Sequence, residues 1–412
     1  VPHATVIWNL SAHPIHHMKT SLAVLTLLVC AWVARAGDLP PLREQISFPP
    51  QVLAFLATQE QEVHAIAAQY QFTLAPAVTN YFATARAGRA RAAQQIYSGL
   101  FQDTNAPGYL TPVKQPVLEA ELAVEAFASG DPGLVQTLSD DLMQSLPAGC
   151  LYFGGTDPGR GLPTLACRAP GDPVFVLSQN KFLDGRYMQY ARDRYGAKIN
   201  LPATNEVQAI IQQAYAGKTG FAAWVAASSQ ILQSIIAQNP GRTVCYEASF
   251  PAESLYPRLA PHGLVMTIAP QPLERISPQD IATDRDFWTR KITALKALPA
   301  FAGDASTRRT YAHERAASAG IYAWRAQTAP DPAERDRMFA AATNAFGQVY
   351  ALDAGQTEAV YAEVNLLMNF HQPATALTVV KDAAQADPAN ASFKTMRQQL
   401  EQMPAPPAPA KP

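Results

Sequence analysis

The sequence predicts an α/β plus all-α protein. A small, mostly parallel, Rossmann-like sheet is expected between N-terminal helices and a C-terminal tetratricopeptide-like helical region. Three observations carry this. Up to about residue 137, apolar residues recur at three- and four-residue spacing, the period of an amphipathic helix. Four short apolar runs then alternate with helical stretches: "CLYFGG" (150–155), "PVFVLSQ" (173–179), "RTVCYEA" (242–248) and "GLVMTI" (263–268). That alternation is the mark of βαβ units. From about residue 305 the helical period returns with an internal repeat, Asp353 matching Asp387 thirty-four residues on.

Taken in order, residues 1–17 read as an upstream extension of the natural start. Four of the eight histidines fall there, so "HPIHH" is not taken as a metal site. Residues 18–36, "MKTSLAVLTLLVCAWVARA", read as a signal peptide: Lys19, an apolar run from Leu22 to Val33, and Ala34-Arg35-Ala36 as the cleavage site. The run is short of the roughly 20 residues that span a bilayer. A periplasmic or secreted protein with no transmembrane span after cleavage is therefore expected. Residues 37–137 form a helical N-terminal region, with Gly88 breaking one hairpin, and 138–272 the α/β domain. Residues 273–304 are a helical connector, opened by a Ser277 cap in "SPQDIATDRDFWTRKITAL". Residues 305–403 hold the repeats, in which Ala376, Val380, Ala383 and Pro388 occupy the small-residue, knob and turn positions. Residues 404–412, a Pro/Ala tail, are expected to be disordered.

Composition narrows the chemistry. A net charge of −1 with 16% charged residues gives no electrostatic footprint for nucleic acid. His64, His262, His313 and His371 are dispersed, and no Cys or His pair has zinc spacing, so no metal and no cofactor are predicted. There is no G-x-S-x-G elbow, and the glycine-rich stretch 153–161 has neither the Gly-Lys-Ser/Thr element of a P-loop nor a G-x-G-x-x-G fingerprint. An exported chain can form disulfides. Cys150 opens the first strand and Cys167 closes the helix after it, which makes them a candidate bridge worth about 3 kcal/mol. Two buried thiols are the alternative, and Cys245 reads as core.

The candidate site is the corner "FGGTDPGRG", 153–161. In open α/β sheets, ligands bind beyond the carboxyl ends of strands, where loops enter helix N-termini. Gly154 and Gly155 would let backbone approach a ligand, Thr156 lines the same corner, Asp157 would cap the helix, and Arg160 would pair with a carboxylate or phosphate. Gln179, Asn180 and Asp184 follow the second strand and Glu247 the third, completing an expected polar rim. The plainer alternative is a tight turn in which Asp157 only caps and Arg160 only pairs with Asp184.

"LYFGGTDPGRGLPT", "VLSQNKFLDGRYMQYARDRYG", "YEASFPAESLYPRLAPHGLVM" and "DFWTR" stand in an order and spacing that resemble uncharacterised exported proteins of Verrucomicrobia-like bacteria, over roughly residues 138–400. The α/β part also resembles the soluble C-terminal region of a bacterial membrane family related to protein O-mannosyltransferases. This chain departs from that family in lacking its multi-span membrane portion. The resemblance implies an exported domain that recognises a glycan, lipid-sugar or peptide at the Asp157–Arg160 corner. The leading expectation is thus a non-catalytic scaffold that binds such a ligand and docks a protein partner through helical repeats. The competing one is an enzyme or accessory subunit of envelope glycan transfer, with Asp157 and Glu247 near the chemistry. In a third, the corner is only a turn and the repeats do the work.

Overall fold

The computed structural model describes residues 42–102, 111–167, 174–250 and 252–403. The expected extension 1–17, the expected leader 18–36 and the Pro/Ala tail 404–412 lie outside the described residues. Helices dominate what remains. Among the described residues, five helices precede the first strand, α1 (Pro50–Gln69), α2 (Pro76–Arg86), α3 (Ala90–Tyr97), α4 (Lys114–Ser129) and α5 (Pro132–Gln144), with a π-turn (Ser98–Gln102) following α3. Their boundaries follow local chemistry. Pro50, Pro76 and Pro132 sit at first helical positions, where no N–H is needed. Asp131 caps α5 by accepting from the N–H groups of Gly133 and Leu134.

The α/β segment runs β1 (Leu151–Gly154), α6 (Asp157–Ala166), β2 (Phe175–Ser178), α7 (Gly185–Tyr195), α8 (Thr204–Ala216), α9 (Gly220–Gln238), β3 (Val244–Tyr246), β4 (Leu259–His262) and β5 (Val265–Ile268). Strand order is β2-β1-β3-β5-β4. Only β2–β1 and β1–β3 are parallel; β3–β5 and β5–β4 are antiparallel. This corrects the expected mostly parallel, Rossmann-like sheet: the protein is mostly helical around a small mixed sheet. The reason lies in "LAPHGLVMTI". The proline there argues against a helix, but Pro261 is tolerated on an edge strand, which needs no inward N–H at that position. Gly263, at φ +63°, then closes a two-residue turn that folds β4 back on β5.

α9 is long and apolar enough to cross a membrane by length and composition. Its Ala223, Ala227, Ile231, Leu232 and Ile235 are buried in the protein.

After β5 come α10 (Pro278–Lys296), α11 (Ala305–Thr328), α12 (Pro332–Leu352), α13 (Thr357–Asn369), α14 (Pro373–Ala386) and α15 (Ala391–Glu401). Ser277 caps α10 as the sequence predicts, and Asp304 and Asp331 cap α11 and α12. A continuous hydrophobic core extends from Leu42 to Leu366. A second, smaller cluster, including Val364, Val380 and Phe393, holds the last helices together.

The candidate Cys150–Cys167 bridge does not form. Cys150, Cys167 and Cys245 are buried thiols. Because β1 pairs with β3, Cys150 finds Cys245 instead, and its thiol is raised by hydrogen bonding with Cys245 and by burial. The Cys167 Sγ lies 3.9 Å from the Met143 Sδ.

Candidate functional site at the carboxyl end of the sheet

The parallel register Gly154↔Ser178 and Phe153↔Tyr246 brings the chain out of β1, β2 and β3 at one end of the sheet. Gly155, Thr156, Gln179, Asn180 and Glu247 are therefore gathered, as the sequence reading requires. Their orientation differs from the expected rim. Glu247 and Gln179 are fully buried, and the polar groups of the corner turn inward onto the Glu247 carboxylate.

Glu247 Oε2 accepts hydrogen bonds from the N–H of Gly155 at 2.6 Å and of Thr156 at 3.1 Å. The Thr156 hydroxyl donates to Oε1, and the Tyr152 hydroxyl approaches Oε2 at 3.4 Å. This carboxylate sits at the N-terminus of α6, where aligned peptide dipoles favour an anion. The glycines make the enclosure fit. A Cβ on Gly155 would lie 2.3 Å from the Ser249 Cβ, and one on Gly159 would meet the carboxylate itself. The glycine-rich corner thus cradles an anion that belongs to the chain, in the place where an external one was expected.

The remaining predicted residues divide between inside and surface. Gln179 Nε2 donates to the carbonyls of Phe153 (2.5 Å) and Glu247 (2.6 Å), stapling the ends of β1 and β3. Arg160 is only 6% exposed. It donates to Asn180 Oδ1 at 3.0 Å and pairs with Asp157, not with Asp184. The cap of α6 is Thr156, whose hydroxyl oxygen accepts from Gly159 N, and Asp157 falls in the first turn instead. Asp184 caps α7 by accepting from Arg186 N. Asn180 is exposed, and Asp157 and Asp184 are partly so. Nearby, burial and the Arg160 charge lower the Lys181 ammonium.

The other wall comes from helices far along the chain. His313 and Glu314 on α11 face Glu247, and one ligand atom from each of the three lies within 4.8 Å of the others. His313 Nε2 is 2.9 Å from the Ala248 carbonyl, and Nδ1 is 3.1 Å from Glu358 at the start of α13. Burial alone would lower this imidazole, but Glu358, Glu314 and Glu247 together hold it up to about 10. Burial, then the Glu247 charge, push the Glu314 carboxyl well above the usual range. Sequence reasoning missed His313, Glu314 and Glu358. The one signal was the adjacent His-Glu pair in "YAHERA", within the first turns of a helix rich in charge.

The fold and site define a mostly helical protein with a small mixed sheet and an enclosed acid–imidazole cluster joining sheet to helical array. No family model, curated protein or solved structure matches the chain.

Proposed function

We propose that the protein is an exported scaffold that acts by binding, and that it docks a polypeptide partner on its C-terminal helical array. The observation that carries this is a cleft of about 1070 Å³ between the end of α10, the start of α11 and the turns before α13 and α15. Lys296, Arg308 and Arg309 lie along it, as do Asp353 and Asp387. These two aspartates are repeat equivalents, and Gly355 packs against Asp387, so successive turns present one residue type to one occupant. A cleft with cationic and anionic residues suits an extended, mixed-charge peptide, and its volume is at the upper end for specific pockets. The leader at 18–36 supports action outside the cytoplasm. At the corner, Glu247 and Gln179 spend their polar atoms internally, so recognition there is confined to Asp157, Asn180 and Asp184 at the surface.

The test is selection of a displayed peptide library on the immobilised mature protein. Enriched peptides should lose at least tenfold in affinity against R308E/R309E and keep it against D157A. Failure to enrich any peptide, or binding that follows D157A rather than R308E/R309E, rules the reading out.

A further inference from the structure

We infer that Glu247, His313 and Glu314 form a binding site for a first-row divalent cation that clips the sheet to the helical array. Three independent features point to it. The donor set is two carboxylates and one imidazole, with ligand atoms all within 4.8 Å of one another. Metal–ligand bonds of about 2.0–2.2 Å place donors in that range around a shared ion. Next, Glu314 is 2% exposed and its Oε1 has no hydrogen-bond partner. A buried carboxylate oxygen left in that state costs free energy, which a cation would recover.

The outer partners of the ligands are also those of a metal site. Ligating imidazoles commonly donate their second N–H to a carboxylate, which fixes ring orientation and raises basicity. His313 Nδ1 is held this way by Glu358. On metal binding Nε2 gives up its proton, and with it the contact to the Ala248 carbonyl. Glu247 is oriented by Gly155, Thr156 and Tyr152. Of roughly four lone-pair positions on a carboxylate, those on Oε1 receive only the Thr156 hydroxyl, which leaves one for a cation. The His313 and Glu358 side chains, 15% and 19% exposed, put the cluster within reach of solvent. Mixed nitrogen and oxygen ligands favour zinc, manganese or iron(II) over calcium.

The site is separate from the peptide cleft, so this inference does not depend on the docking reading. The experiment uses the full mature chain, purified without immobilised metal. Elemental analysis should find about one first-row divalent ion per chain. A chelator should lower the melting temperature by several degrees, and Zn²⁺ or Mn²⁺ should restore it. E314Q, which keeps the side chain's shape, should lose at least tenfold in metal affinity. E358Q should weaken binding by about 10–100-fold while keeping the stoichiometry. If the wild type carries no ion and melts identically with chelator and with added Zn²⁺ or Mn²⁺, the inference is wrong and Glu247 and Glu314 simply share a proton. Equal metal content in wild type and E314Q overturns it as well, since the ion is then bound elsewhere.

Discussion

A Cβ placed on Gly159 would stand 2.0 Å from both carboxylate oxygens of Glu247. That distance is inside any tolerated contact, so either the helix N-terminus or the carboxylate must move. Gly159→Ala should destabilise the protein by about 1–3 kcal/mol despite alanine's better helix propensity. Gly185→Ala, with nothing near its added methyl, should be neutral within about 0.5 kcal/mol. Urea titration of both variants measures the difference, and equal midpoints would mean that the corner is not packed around Glu247.

Among the described residues, the most deeply buried ion pair joins Arg315 of α11 to Asp284 of α10, at 2.6 Å. Tyr322 also donates to Asp284, and the guanidinium lies over the Trp288 ring. Removing the cation leaves a carboxylate with no route to water. Arg315→Met should cost about 3–5 kcal/mol, and pairing it with Asp284→Asn should recover a substantial part. A double-mutant cycle reads this coupling; additive losses would show that the pair is not coupled.

Glu121 supplies a pH dependence outside the Glu247 cluster. Burial raises its carboxyl to about 8, with the nearby Tyr81 hydroxyl opposing the rise and Glu125 adding to it. The folded state therefore holds this proton more tightly than the unfolded chain, whose carboxyl titrates near 4.5. The stabilisation is complete below that value and is lost as pH climbs through about 8, by an amount of order a few kcal/mol. Glu121→Gln should flatten the stability profile between about pH 5 and 8. Parallel profiles for variant and wild type over that range would contradict the assignment.

The three cysteines after residue 36 should titrate as three thiols in denaturant without reductant. Recovering only one would mean that two of them had oxidised to a bridge, and mass mapping would show whether Cys245 is one of them.

Period and capping made most elements legible. The β1, β2, β3 and β5 runs were visible as apolar stretches, and Ser277 announced α10. The convergence of Gly155, Thr156, Gln179, Asn180 and Glu247 followed from parallel strands leaving one sheet edge. Three things were hidden. The β4 strand was masked by Pro261, which is strand-compatible because β4 lies at an edge, and by Pro257 in the 3-10 turn just before it. Which way the corner's polar groups face depends on side chains packed behind them, and spacing carries no information on that. The partners His313 and Glu358 arrive from helices more than sixty residues beyond Glu247, a proximity set by tertiary packing alone.

The helix at 305–328 opens the C-terminal helical array, yet much of its inner face is spent on what comes before. Tyr311 bonds Asp141, His313 reaches Ala248, and Arg325 holds the carbonyls of Pro257 and Leu273. The chain consequently has no seam at residue 304, and severing it there would strip a supporting wall from the sheet. A protease should find its foothold farther on, near the turn at Asp387, where the small cluster around Val380 and Phe393 keeps the final hairpin shut.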